Sequence, residues 1–443
     1  MFNEEDILYR GRALVQKKDF DQAIAAFDEA IKLNPQYVEA YYSRAGAYEM
    51  LGQLDKALAD YAHILTLSPR ESVAFFNRAN ILRQTGKNDA AIAEYTKAIE
   101  LKPDYGEAYF NRGAIYFSQG QLDQAFESYT SAMQYMPNDA DVVVACGLVH
   151  FVKRNYEDAL REYDRAISLN TDNIRAHGNR GNVLEFLGRN EEAVTEYTRV
   201  IELNPSDYKA YLNRGYVYSK LDNSEQAIAD YTQVIKLNPR QPKVYRNRGN
   251  IYLKLRRYQS AQDDYNEAIR MEPHNSDNFL YRGMAVMAQG DSIKAADDFS
   301  EALKLNPHSS QAWAQNGAVL AGFGKNEEAI RHYTEAIRIV PQETAYYCAR
   351  GCLYAKINQL DDASEDFHKC LEIDENYAAA YMNLGLLSRT NNDPRKAIEL
   401  FTKAIEIDTH YGAAYHNRAI VYSMLGDKYK ADKDMAAAQR LGE

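Results

Sequence analysis

Apolar residues along the chain recur in steps of three and four, as in Tyr211–Gly215–Tyr218 and Ala227–Tyr231–Val234. That spacing gathers one face of an α-helix. The stripes come in pairs, and the pairs repeat every 34 residues. Alanine stands at 23, 57, 91, 125, 159, 193, 227, 261, 295, 329, 363, 397 and 431. Four residues after each stands an aromatic, from Phe27 and Tyr61 to Phe367 and Phe401, with Met435 alone departing. A glycine column holds Gly11, Gly113, Gly147, Gly181, Gly215, Gly249, Gly283, Gly317, Gly351 and Gly385, with Ala45, Ala79 and Ala419 in the remaining places. Nothing breaks the register from residue 4 to 443.

Each column has a physical reason. Small residues in the glycine and alanine columns let two helix backbones approach, and the aromatic beside them fills the remaining space. Gly52, Gly86, Gly120, Gly188, Gly290, Gly324 and Gly426 fall between the two helices, where a left-handed residue ends a helix cheaply. Proline closes most units, at 35, 69, 103, 137, 205, 239, 273, 307 and 341, and forbids the second helix from continuing. Two helices per unit, thirteen units and no interruption predict an all-α chain with no separate catalytic domain.

The pattern resembles the tetratricopeptide repeat family over essentially the whole chain. The resemblance implies a right-handed superhelical α-solenoid of thirteen helix–turn–helix units beginning at residues 4, 38, 72, 106, 140, 174, 208, 242, 276, 310, 344, 378 and 412. It implies a single solenoid over 1–443, with first helices lining a concave face and second helices a convex one. In the last second helix, Asp432 and Gln439 replace the outward apolar pair found as Ile228 and Ile235 or Ile398 and Ile405. This helix is expected to cap the array itself, with Glu443 a natural end.

Composition adjusts this picture at a few points. A formal net charge of −11 argues against a nucleic-acid backbone as general partner. Cys146, Cys348, Cys352 and Cys370 are too few for a disulfide framework in 443 residues and suit reduced thiols, so a cytoplasmic location is expected. Residues Met1 to Val15 mix acids and arginines, unlike a signal peptide, and no run reaches the length of a membrane span. Thirty-five tyrosines are unusual, but 21 of them fall in the three packing columns typified by Tyr41, Tyr48 and Tyr61. Most of the excess is therefore expected in the core.

Chemistry-bearing motifs are scarce. There is no glycine-rich phosphate loop, nucleophile elbow or metal-ligand spacing, so no enzyme activity, metal or cofactor is expected. Cys348 and Cys352 lie one helical turn apart but lack a second ligand pair, and His177 occupies an aromatic core column. An arginine column (Arg10, Arg44, Arg78, Arg112, Arg180, Arg214, Arg248, Arg282, Arg350, Arg418) faces an acid column (Asp60, Glu94, Glu162, Glu196, Asp230, Asp264, Asp298, Asp366, Asp434). Their co-occurrence points to ion pairs within each unit, and pairing to the neighbouring unit fits nearly as well.

The asparagine column is the candidate for binding: Asn77, Asn111, Asn179, Asn213, Asn247, Asn383 and Asn417. An amide offers a donor and an acceptor together and can hold a peptide group without reading its side chain. The row is similar to the asparagine ladder in the repeat domain of O-GlcNAc transferase and to asparagines of chaperone-binding co-chaperones. In repeats six to eight, Arg175, Lys209 and Lys243 stand one turn before the column, Asn182 and Asn250 one turn after it, and Lys220 and Lys254 further along. The leading residues of the first five repeats are Glu5, Glu39, Val73, Glu107 and Asp141, so the charge of this stripe switches from acidic to basic. A basic stripe with amides suits an extended acidic segment. The co-chaperone carboxylate clamp maps to Gly178, Asn182, Asn213, Lys243 and Asn247, where its first lysine and final arginine are missing. In repeats two to four, Tyr42, Phe76 and Phe110 precede the column and read either as an apolar contact site beside Asn77 and Asn111 or as partly buried packing.

The resulting expectation is a non-catalytic, monomeric scaffold that binds extended or helical protein segments and neither nucleic acid nor membrane. A self-assembling structural protein and a substrate-reading subunit of a multi-chain enzyme are the alternatives.

Overall fold

The computed structural model describes residues 3–443, so the first two residues of the Met1–Val15 stretch lie outside the described part. The described residues form 26 α-helices, numbered α1 (Glu4–Gln16) to α26 (Lys428–Arg440), and no strand. Odd-numbered helices begin at Glu4, Val38, Ser72, Gly106, Ala140, Ile174, Tyr208, Pro242, Ser276, Ser310, Thr344, Ala378 and Gly412, the positions set by the 34-residue period. No helix among the described residues is long and apolar enough to cross a membrane.

The chain divides into two compact units, Met1–Asn223 and Ser224–Glu443. In each, a helix packs chiefly on those before and after it in sequence.

In the first unit, α7 (Gly106–Ser118) and α8 (Leu122–Tyr135) show the interlock that the columns encode. A Cβ on Gly113 would lie 2.8 Å from the Tyr129 ring, so that ring rests directly on the α7 backbone. Gly181 meets the Tyr197 ring at the same distance. In the second unit, Gly249 faces Tyr265 at 2.9 Å and Gly385 faces Phe401 at 2.6 Å. The alanine column is sealed, with Ala125, Ala193, Ala261 and Ala397 fully buried. Tyr95, Tyr163, Tyr197, Tyr231 and Tyr265 are among the largest fully buried side chains, which accounts for part of the tyrosine excess.

Both readings of the arginine column hold at once. In the first unit Arg44 gives Nε and Nη2 to Asp60 of its own repeat, at 2.9 and 2.6 Å, and Nη1 to Asp28 of the repeat before, at 2.5 Å. In the second unit Arg248 grips Asp264 at 2.9 and 2.7 Å and reaches back to Thr232 at 2.7 Å. Arg350 and Arg418 do the same with Asp366 and Thr334, and with Asp434 and Thr402. Each such arginine joins two consecutive second helices through bidentate, partly buried bonds. Losing one strands a carboxylate in the core.

The connection inside each repeat takes one left-handed residue. Glycine supplies it at Gly52, Gly86, Gly120, Gly188, Gly290, Gly324 and Gly426, and Lys18, Arg154, Asp222, Arg256, Asn358 and Asn392 take a positive φ of 59° to 64° without that freedom.

Candidate functional site

Two first helices of the first unit carry the strongest candidate: α11 (Ile174–Phe186) and α13 (Tyr208–Lys220). Both start at side-chain caps. Asn173 Oδ1 accepts from the Ala176 N–H at 2.9 Å, and Asp207 Oδ1 accepts from the Lys209 and Ala210 N–H groups at 2.9 and 3.3 Å. These caps satisfy otherwise orphaned amides and fix where each helix begins.

Between the two helices lies a cleft of about 410 Å³ lined by Arg175, Gly178, Asn179, Asn182, Lys209 and Asn213, with Tyr197 and Val200 from α12 (Asn190–Leu203) behind them. Its origin is one missing side chain. In the column of Gly178, repeats two to four carry Tyr42, Phe76 and Phe110. Those rings pack against Tyr61, Tyr95 and Tyr129 at centroid distances of 6.0, 5.8 and 5.7 Å. A Cβ on Gly178 would meet only Val200 Cγ2, at 3.9 Å. The space a ring fills in the earlier repeats is open here.

The asparagines form a definite pattern. Asn182 Oδ1 accepts from the Tyr197 hydroxyl at 2.9 Å and from Asn213 Nδ2 at 3.2 Å. Repeats three and four reproduce it: Asn80 Oδ1 accepts from Tyr95 Oη at 2.5 Å and from Asn111 Nδ2 at 3.1 Å. In these two steps the row spends an N–H on tying a repeat to the next. Outside these bonds remain the Asn182 NH₂ group and the Asn213 carbonyl. Asn179 and Asn213 are half-buried on the first-helix face rather than sealed between helices.

Charge on this cleft is mixed, since Arg175 and Lys209 share its lining with the Asp207 cap. Arg175 lies 3.5 Å from Asp141 in an exposed pair, and Lys220 bonds Glu185 at 3.1 Å. Lys209 is exposed, and no ion pair to it occurs among the described residues. In the second unit, α15 (Pro242–Lys254) carries the same residue types. There Lys243 and Lys254 are exposed, Asn247 and Asn250 half-buried, and Asn250 accepts from the Tyr265 hydroxyl at 2.8 Å.

The remaining candidates behave differently. Tyr42, Phe76 and Phe110 are half-buried and pack on the rings of Tyr61, Tyr95 and Tyr129, and Asn77 and Asn111 beside them are half-buried too. Asn417 Oδ1 accepts from Arg389 at 2.9 Å. His177 is buried, with Nε2 at 3.0 Å from the Thr171 carbonyl and Nδ1 at 2.7 Å from Glu196. Tyr41 and Trp313 make the equivalent bond to the carbonyls of Pro35 and Pro307, so this histidine takes over a structural role. No group of three or more His, Cys, Asp or Glu among the described residues is placed to hold a metal ion. A second cleft, about 560 Å³, opens in repeats one and two where Gly46 leaves space beside Val15, Phe27 and Met50.

Sequence columns pointed to the polar rim of the repeat-six cleft but not to its walls. Tyr197, Val200, Ile174 and Leu148 read as ordinary packing positions, and the one available signal was a glycine in a column of rings.

Tetratricopeptide-repeat profiles match residues 38–71, 106–139, 208–241, 242–275, 280–344, 344–377 and 378–411, and TPR-repeat profiles match 11–52, 79–120 and 187–222. Together these matches span well over half of the chain. The chain is a tetratricopeptide-repeat protein. A tetratricopeptide-repeat array is generally a non-catalytic protein-interaction scaffold. No curated protein matches this one. Among solved structures, the chain is similar to the anaphase-promoting-complex hetero-tetramer Cut9–Hcn1, at 14% identity over 95% of this chain and 96% of that one, with a TM-score of 0.48. It is also similar to yeast Tom70, at 17% identity over 98% and 95%, with a TM-score of 0.40. YrrB, described as a TPR protein with an unusual peptide-binding site, is 26% identical over 42% of this chain and 95% of its own, with a TM-score of 0.36.

Proposed function

We propose that this tetratricopeptide-repeat protein is a scaffold that holds an extended, acidic segment of a partner protein across the first-helix face of repeat six. The observation that carries the reading is the Gly178 opening, framed by amides with unspent hydrogen-bonding capacity and by Arg175 and Lys209. Asn182 and Asn213 serve main-chain groups of the segment, and the two cations attract its carboxylates. Lys243, Asn247, Asn250 and Lys254 offer the same chemistry on α15, as a further stretch of contact within the second unit. The protein itself catalyses nothing, works as a monomer without a cofactor, and resides in a reducing, cytoplasmic compartment that suits its four free cysteines.

A pull-down from a lysate tests this. Asn213→Ala is expected to lose partners that the wild type retains, and unchanged recovery would remove the cleft from consideration. Raising salt past physiological strength, where screening shortens to about 8 Å, is expected to weaken capture. Salt-insensitive capture would point away from Arg175 and Lys209.

A further inference from the structure

Three of the four cysteines gather in repeat eleven of the second unit. Cys348 and Cys352 lie on α21 (Thr344–Lys356) and Cys370 on α22 (Leu360–Ile373). Residues four apart share a helix face. By register, Cys348 takes the column of Gly178 and Cys352 that of Asn182, so the thiols stand on the first-helix face that carries the asparagine row. Cys348 is half-buried, Cys352 exposed and Cys370 buried.

The surroundings of Cys348 are unlike those of the other thiols. Asn383, on α23 (Ala378–Thr390), donates Nδ2–H to Cys348 Sγ at 3.7 Å. The Cys352 thiol and the Tyr377 hydroxyl lie near enough to that sulfur to bear on its charge. Cys370 spends its S–H on the Thr344 carbonyl at 3.4 Å. A donor held on the sulfur, with two further polar hydrogens nearby, favours its thiolate, the reactive form. The influences of Cys352, then of Tyr377 and Asn383, outweigh burial and hold the Cys348 thiol below its ordinary range. Burial pushes Cys146 and Cys370 up to about 12. The interaction with Cys348 is the leading influence that raises Cys352.

We propose that Cys348 and Cys352 form a reversible oxidation site for hydroperoxides, with Cys348 the attacking thiol and Cys352 the resolving one. The Cys348 thiolate attacks one peroxide oxygen, the O–O bond breaks, and the departing alkoxide or hydroxide takes a proton from solvent. The sulfur loses two electrons to the peroxide and becomes a sulfenic acid, Cys348–SOH. The Cys352 sulfur then attacks Cys348 sulfur. The S–O bond breaks, and the leaving hydroxide takes the Cys352 proton and departs as water. A small dithiol reverses the disulfide and is itself oxidised to one.

Closing that bond has a structural consequence. Cβ atoms four apart on a helix lie about 5–6 Å from each other, whereas a disulfide needs roughly 3.5–4.5 Å. The α21 turn must loosen, and Asn383 loses the acceptor it holds in the reduced protein. Oxidation thereby remodels the first-helix face of repeats eleven and twelve.

The test treats the full chain with hydrogen peroxide and maps the products by mass spectrometry. Wild type is expected to form a Cys348–Cys352 link that dithiothreitol reverses. Cys352→Ser with dimedone present is expected to trap the sulfenic acid at Cys348, at least about tenfold faster than any adduct at Cys146 or Cys370, since one pKa unit changes thiolate content tenfold. Asn383→Ala is expected to slow that reaction. Iodoacetamide labelling of the untreated wild type reads the same preference for Cys348 without any substitution. Equal labelling of Cys348 and Cys146 overturns the proposal. So does peroxide treatment that leaves wild type without the Cys348–Cys352 link.

Discussion

Repeat four, built from α7 and α8, and repeat six, built from α11 and α12, share a scaffold, and two of the columns at which they differ shape the face. Repeat four fills the column before its asparagine with Phe110, whose ring packs 5.7 Å from Tyr129, and repeat six leaves it empty at Gly178. Repeat four pairs no acid with its column arginine. Arg112 reaches back to Thr96 at 3.1 Å, its Nε is buried with no hydrogen-bond partner among the described residues, and Ser128 stands where repeat six has Glu196. In repeat six Arg180 bonds Glu196 at 2.6 Å and Asp164 at 2.7 Å, and Glu196 also meets His177. The lesson is that a site in this array arises by omission. One ring is left out of the face while the ion pairs beneath it hold the two helices in place.

The comparison breaks most sharply at the arginines. Arg180→Ala takes the permanent cation from the buried Glu196 carboxylate and leaves it only the His177 contact, so a loss of about 3 kcal/mol is expected locally. Arg112→Ala removes no carboxylate partner and is expected to cost no more than about 1 kcal/mol. Because repeat arrays need not unfold in one step, amide hydrogen exchange in α11–α12 and in α7–α8 is the measurement that separates the two. Equal losses would mean that the acid column does not set the difference.

Opening repeat four is expected to cost about 2 kcal/mol, since Phe110→Gly deletes a half-buried ring and puts a glycine inside a helix. Urea titration followed by circular dichroism reads this. The new opening is expected to attract no acidic peptide, because Glu107 and Asp141 lead the flanking helices there.

One substitution made in both repeats is expected to change sign. Gly113→Ala forces a Cβ to within 2.8 Å of the Tyr129 ring and is expected to destabilise by about 1 kcal/mol. Gly178→Ala enters open space and is expected to stabilise by about 0.5 kcal/mol through helix propensity. Thermal melting of the pair checks both directions, and a shared sign would contradict the described packing.

The helix pairs were legible in the sequence because the apolar columns never leave register, and thirteen first helices begin where that register puts them. The arginine columns were legible in type but not in full, since arginines such as Arg44, Arg248, Arg350 and Arg418 turned out to bridge two second helices. The cleft was less legible for a physical reason. A glycine in the Tyr42, Phe76 and Phe110 column becomes a cavity only when those rings pack inward, and the columns alone left inward packing and outward contact equally open. The Asn213–Asn182 bond joins residues 31 apart from different columns, so no single column displays it. The thiol pair was visible as two cysteines one turn apart, but the donor on Cys348 comes from Asn383 in the next repeat.

The most direct measurement compares wild type with Gly178→Phe in fluorescence-polarisation binding to a fixed set of extended peptides carrying paired acidic residues. A phenylalanine there copies Phe76 and Phe110 and closes the opening while leaving the surrounding ion pairs untouched. The account predicts that wild type binds a subset of these peptides and that Gly178→Phe weakens each of them by at least about tenfold, or about 1.4 kcal/mol, with folding unchanged. Equal binding of the same subset by both proteins would contradict it.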